Sequence, residues 1–195
     1  SFNGLAASSS DEKISKVMID DKASSGTYAL DVTQLATASK VTSKVFEGGS
    51  SAVVNAGTQS TTLTISQSDN DYNVTIPPGA TMQQTRDAIN TQLQSKGISA
   101  NVLNDANGSR LVISSQTTGK GTDITISGDS ELSTDYDVGK PPVNAEYTID
   151  GIAMESSSNK ITSAISGVSL ELIDTKASTI TVASNTTTLK TSVQS

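Results

Sequence analysis

The stretch AEYTIDGIAMESSSNKITSAISGVSLEL, residues 145–172, decides how the chain folds. Tyr147 and Ile149 alternate with polar neighbours, which predicts a strand with one apolar face. Asp150-Gly151 then predicts a tight turn, because glycine takes positive φ without a Cβ clash. Ser158 or Asn159 is placed to cap a short helix, a contact worth roughly 1 kcal/mol. Ile161, Ala164, Ile165 and Val168 follow at i, i+3, i+4 and i+7, the stripe of a helix that Gly167 would stop. Val168, Leu170 and Leu172 return to alternation. The stretch thus predicts strand, turn, short helix, strand, and its generic content is packing rather than chemistry.

Working outward, the same alternation recurs on both sides. Residues 1–22 are weakly patterned: Ile14, Val17 and Met18 fit a short strand, and Ser8-Ser9-Ser10 fits a loop. Tyr28, Leu30 and Val32 alternate, and Leu35 breaks the phase as a bulge or a strand end. Val41, Val45 and Phe46 suggest a further strand, and Glu47-Gly48-Gly49-Ser50-Ser51 reads as a boundary. Leu63 and Ile65, a turn at Asp69-Asn70-Asp71, and Tyr72, Val74 and Ile76 make a hairpin that Pro77-Pro78-Gly79 ends. Thr81 and Gln84 form a capping box for a helix over 81–96, with Met82, Ile89 and Leu93 on one face and Gly97 as its stop. Ile98, Ala100 and Val102, a turn at Asn107-Gly108, then Leu111 and Ile113 predict a second hairpin, and Ile124 with Ile126 another strand. Residues 129–142 are acidic and loop-like and close on Pro141-Pro142, a second boundary. The predicted fold is mainly β with a few short helices (α+β). It has two β-rich domains, an outer one from residues 1–50 plus 143–195 and an inserted one from 51–142.

Composition narrows the function classes. Hydrophobic residues make up 34% and aromatics 3%, which suits a Thr- and Val-rich sheet protein. The chain has no Cys, so no disulfide, and no His, which removes the usual neutral-pH general base and the commonest zinc ligand. Thirteen basic against 20 acidic residues give a formal charge of −7, which argues against nucleic-acid binding. No run is long enough to span a bilayer, so no membrane partner is expected. The first residues are small and polar, unlike a signal peptide, and the lack of an initiator Met suggests an excised fragment.

The candidate sites each have a plainer explanation. Asp105-Ala106-Asn107-Gly108 opens like a calcium loop, but its twelfth position is Gln116, so a hairpin turn is expected. Asp20-Asp21 and Asp69-Asn70-Asp71 are adjacent carboxylates, not a pair facing across a cleft, and with no Trp and 4 Tyr there is no sugar platform. Ser156-Ser157-Ser158 has no His to activate it, and Lys160 is a weak substitute. Arg86-Asp87 fits a solvated helix face. Gly48-Gly49 and Gly119-Lys120-Gly121 lack the spacing of a phosphate loop. The expectation is no enzyme, no cofactor, and no catalytic, cofactor-binding or metal-binding residue.

Three stretches resemble a known family, in its order. A strand ending in Asp150-Gly151, then Ser156-Ser157-Ser158-Asn159 and the I-x-x-A-I-x-G-V-x-L-x-L run, is similar to the flagellar filament-capping, or hook-associated protein 2, family. YALDVTQLATASKVTSKVF, residues 28–46, resembles its Y-x-x-x-V-x-Q-L-A segment. TRDAINTQLQSKGISANVLNDANGSRLVISSQTTG, residues 85–119, resembles its R-D-A-I-N helix and R-L-x-I-x-S strand. The resemblance implies a β-rich head of two domains, one inserted in the other, on a helical, coiled-coil stalk that would lie outside this chain. It implies a homo-oligomeric ring at the distal, extracellular filament tip that retains exported flagellin and promotes its polymerisation without bond chemistry. Flagellin, hook–filament junction proteins, an export chaperone and, for adhesive members, host mucin are the partners it implies. A ring needs a head-to-tail interface, for which residues 129–142 and the loop around Glu47 are the candidates. The rival from composition is a β-rich extracellular adhesin or carbohydrate-binding module. The ordered family segments and the missing aromatic platforms weigh against it.

Overall fold

The computed structural model describes residues 2–185. Ser1 and residues 186–195, the ends of the expected outer domain, lie outside the described residues. In chain order the first strands are β1 (Leu5–Ser9), β2 (Ser15–Ile19), β3 (Gly26–Gln34), β4 (Ala38–Thr42), β5 (Thr61–Gln67) and β6 (Asn70–Ile76). The helix α1 (Met82–Leu93) follows, then β7 (Ile98–Asp105), β8 (Gly108–Thr118) and β9 (Thr125–Gly128). The chain then forms β10 (Ala145–Ile149), β11 (Ile152–Ser156), β12 (Lys160–Ile165), β13 (Val168–Leu172) and β14 (Ala177–Ser184). Strands dominate, as the composition predicts, and the chain forms two compact units: residues 1–37 with 143–195, and residues 38–142.

The discontinuous unit is two antiparallel sheets, ordered β1-β14-β3-β10-β11 and β12-β13-β2. Alternating residues put Leu30, Val32, Tyr147, Ile149, Ile180 and Val182 of the larger sheet into one core with Ile161, Val168, Leu170 and Leu172 of the smaller. Tyr147 lies opposite Val32 while Glu146 lies opposite Gln34, so Thr33 is the extra residue of a bulge, and Leu35, where the phase was expected to break, lies just past the end of β3. Asp150 and Gly151 both have positive φ (51° and 79°) and close β10 onto β11.

Residues 160–168 are a hairpin, not the expected helix. Ile161 pairs with Leu170 and Ile165 with Val168, with a register shift between the two pairs. That bulge breaks the two-residue period and leaves apolar residues at i, i+3 and i+4, which mimics a helical stripe. The β-branched Ile161, Thr162 and Ile165 favour the strand. Gly167 is the hairpin turn (φ 76°), with backbone of Lys22 and Ala23 packed against it. Ser8 and Ser9 also depart from expectation, since they end β1 rather than form a loop.

The continuous unit joins a β4-β8-β7 sheet, a β6-β5-β9 sheet and α1. Thr81 caps α1 in a reciprocal box: its Oγ1 accepts the Gln84 N–H at 3.1 Å and Gln84 Oε1 accepts the Thr81 N–H at 3.0 Å. Met82, Thr85, Ile89 and Leu93 face a core with Leu63, Ile65, Ile76, Ile98 and Leu111. The helix also bonds one backbone position on each neighbouring strand. Asn90 exchanges two hydrogen bonds with the Ala100 backbone (3.0 and 2.7 Å), and Gln92 Nε2 donates to Asn73 O at 2.9 Å.

The expected boundary at residue 50 is displaced. Residues 38–50 belong to the continuous unit, because β4 pairs with β8 and Val41 and Phe46 are in its core. The glycines at 48 and 49 (φ 109° and 71°) lead into a 3-10 turn, Gly49–Ser51, inside that unit.

Candidate interaction surfaces

Each candidate polar cluster is consumed locally. Asp105 accepts the Asn107 N–H at 2.7 Å and ion-pairs with Arg110, which with that N–H holds its carboxyl below the usual carboxylate range. Gln116, the would-be twelfth ligand, sits along β8 with its N–H on Gly97 O at 2.9 Å, so no calcium shell forms. Asp20 Oδ1 accepts the Lys22 N–H (2.8 Å), and Asp71 Oδ1 accepts the Ser66 hydroxyl (2.5 Å). The hairpin turn there is Ser68-Asp69, both at positive φ, one residue before the expected place.

Ser156 Oγ accepts the Ser158 N–H (3.2 Å) and Ser158 Oγ accepts the Lys160 N–H (3.1 Å), so these hydroxyls shape a turn. Asn159, expected to cap a helix, instead pairs with the backbone of Ala36 through both side-chain atoms (2.7 and 3.0 Å). Arg86 bonds Asp87 (2.9 Å) and Asn101 (3.3 Å) on the helix surface. Gly119 and Gly121 flank a turn before β9, with no helix for a phosphate to rest on. Among the described residues no three His, Cys, Asp or Glu gather to hold a metal ion, and no helix is long and apolar enough to cross a membrane.

The acidic segment 129–142 is stitched down rather than loose. Asp129 Oδ1 accepts the Thr62 N–H (2.7 Å), Asp137 exchanges backbone hydrogen bonds with Thr42 (2.8 and 2.9 Å), and Glu131 lies 3.7 Å from Lys44 Nζ. The loop at Glu47 lies beside the 104–108 hairpin tip in an open, polar depression of about 340 Å³.

What sequence reading missed are surfaces made by the fold. In the discontinuous unit Met18 on the edge strand β2 is 74% exposed, and Ile152 on the edge strand β11 is 62% exposed. Ile152 shares the inward face of buried Ile149 but stays exposed on β11, the outermost strand of its sheet. A groove of about 440 Å³ between β11 and β12 is lined by Tyr147, Met154, Glu155, Lys160 and Thr162. In the continuous unit Leu103 on edge strand β7 is the most exposed large apolar residue. A second groove of about 480 Å³ runs past Pro77, Pro78 and the start of α1. Open strand edges with scattered apolar side chains suit protein contacts more than chemistry.

Residues 143–195 match the family model described as flagellar hook-associated protein 2 C-terminus, and residues 62–117 match the flagellin hook IN motif. The chain is similar to the A-type flagellar hook-associated protein 2 of Pseudomonas aeruginosa, with 34% identity over 88% of this chain and 40% of that protein. It is 30% identical to the flagellar hook-associated protein 2 of Aeromonas caviae, over 95% of this chain and 42% of that protein. The chain therefore spans about two fifths of the length of these curated relatives. In structure it is similar to the D2-D3 domains of the flagellar cap protein FliD from Escherichia coli (TM-score 0.78, 28% identity, 92% of this chain and 98% of that one). It is also similar to FliD from Pseudomonas aeruginosa PAO1 (TM-score 0.75, 28% identity, 93% and 90%).

Proposed function

The chain belongs to the flagellar hook-associated protein 2 family, and from that premise we propose that it is the head of a structural cap subunit at the distal tip of a bacterial flagellar filament. In this reading identical subunits form a ring outside the cell. The ring keeps exported flagellin from escaping and helps each new flagellin fold into the filament. The work is steric and conformational, with no bond made or broken.

The observation that carries the reading is the shared architecture. The same two-unit β fold, with one unit inserted in the other, aligns over 92% of this chain with flagellar cap domains. The local use of each candidate polar cluster agrees with a non-enzymatic part. Open strand edges at β2, β7 and β11 agree with a subunit built for protein contacts.

The test is deletion of the gene in the source bacterium, followed by electron microscopy and assay of flagellin in the medium. Cells without filaments that shed monomeric flagellin are expected. Full-length protein should rescue them, and protein lacking residues 1–195 should not. Normal filaments with lost surface attachment would overturn the cap reading in favour of an adhesin.

A further inference from the structure

We propose that Asn107 is a self-modification site, at which the folded chain converts this asparagine to aspartate and isoaspartate through a cyclic imide with Gly108. The proposal stands independently of the cap reading. The sequence holds two Asn-Gly pairs, at residues 3–4 and 107–108. Glycine matters on the C-terminal side because it leaves the attacking backbone nitrogen unshielded by a Cβ.

The structure treats the two pairs differently. Asn3 Nδ2 donates to Asp21 O at 3.0 Å, which tethers the amide away from its neighbour's nitrogen. Asn107 is exposed at the tip of the β7–β8 hairpin, and its side chain has no hydrogen bond among the described residues. Asp105 Oδ1 accepts the backbone N–H of Asn107 at 2.7 Å, and Gly108 is the register partner of Asp105 across the hairpin, so a carboxylate stands near the nitrogen that must lose its proton.

The chemistry consumes only water. The Gly108 nitrogen gives its proton to Asp105 or solvent and attacks Asn107 Cγ. The N–Cγ bond forms, the Cγ–Nδ2 bond breaks, and the amide nitrogen leaves as ammonia after taking up a proton. Water then opens either carbonyl of the ring. One opening gives aspartate, and the other gives isoaspartate, with the main chain rerouted through Cγ.

The fold makes the product consequential. A new carboxylate appears beside Asp105 and the Glu47 loop, where like charges repel. Isoaspartate also lengthens the backbone next to Gly108, where there is no spare room. A Cβ at Gly108 would meet Phe46 O at 2.3 Å, and Phe46 exchanges two 2.8 Å backbone hydrogen bonds with Ser109.

The test incubates the full-length protein, folded and in concentrated urea, at mildly alkaline pH, and follows tryptic peptides by mass spectrometry. In urea the two Asn-Gly pairs should convert at similar rates. In the folded protein Asn107 should convert several-fold faster than Asn3, and more slowly as the pH is lowered towards acid. Folded protein in which Asn107 is as protected as Asn3 overturns the proposal. So does persistence of the converted species in Asn107→Gln.

Discussion

Thr37 and Val143 hold each other across the point where the continuous unit leaves and rejoins the other: the Thr37 N–H donates to Val143 O at 3.0 Å, and the Val143 N–H donates to Thr37 Oγ1 at 3.0 Å. Both residues belong to the discontinuous unit, and β3 pairs with β10 close behind them. That unit therefore closes its own gap. Replacing residues 38–142 by a short Gly-Ser link shortens a loop, and loop-closure entropy changes only slowly with length. The excised protein should fold, with a β-type circular dichroism spectrum and one cooperative unfolding transition. A product that binds hydrophobic dyes and melts without cooperativity would count against this.

Asn159 and Asn90 act alike, each as a side-chain substitute for a strand. Asn159 serves both polar groups of Ala36 in one unit, and Asn90 serves both of Ala100 in the other. Truncation loses the bonds and strands partly buried backbone groups, so each Asn→Ala change should cost about 2–3 kcal/mol. Urea unfolding should show the loss in the discontinuous unit for Asn159→Ala and in the continuous unit for Asn90→Ala. Equal effects of both variants on one shared transition would show that the units do not respond separately.

Legibility in the sequence followed how local the cause was. The Thr81–Gln84 box and the β5–β6 and β7–β8 hairpins were legible because capping and turn chemistry act within a few residues. The β12 strand was not, because a bulge imitates helical spacing and only its pairing with β13 settles the matter. Strand β1, built from Leu5, Ala6, Ala7 and two serines, has little alternation to read and exists through pairing with β14. The boundary at 37 was hidden for the same reason: β4 finds its partner β8 some seventy residues later. The exposure of Ile152 could not be foreseen, since it depends on β11 being the outermost strand of its sheet.

Two turn glycines separate strain from space. Gly151 and Gly167 have nearly the same φ, 79° and 76°, yet a Cβ at Gly151 meets nothing within 4 Å while one at Gly167 meets Ala23 N at 2.4 Å. Gly151→Ala should cost only the left-handed backbone penalty, about 1–2 kcal/mol. Gly167→Ala adds a backbone clash and should cost more than about 3 kcal/mol, or prevent the β12–β13 hairpin from seating on the segment at residues 22–23. Thermal melts of the pair give the comparison, and similar losses for both would refute the steric assignment.

Tyr147 links the core to alkaline pH. It lies in β10 between Val32 and Met154 and is 4% exposed, and burial pushes its phenol above the ordinary value. Below the ordinary tyrosine value, near pH 10, the phenol is neutral in folded and unfolded chains alike, so it adds no pH dependence. Above it the unfolded chain releases the proton while the folded chain retains it. The stability present below that point is therefore lost as pH rises towards the folded value. Tyr147→Phe has no proton to lose. Its stability difference from the natural chain should be flat through neutral pH and shift in the variant's favour above about pH 10. Denaturant midpoints at a series of alkaline pH values give that difference directly, and parallel curves for the two proteins would assign the alkaline loss to other groups.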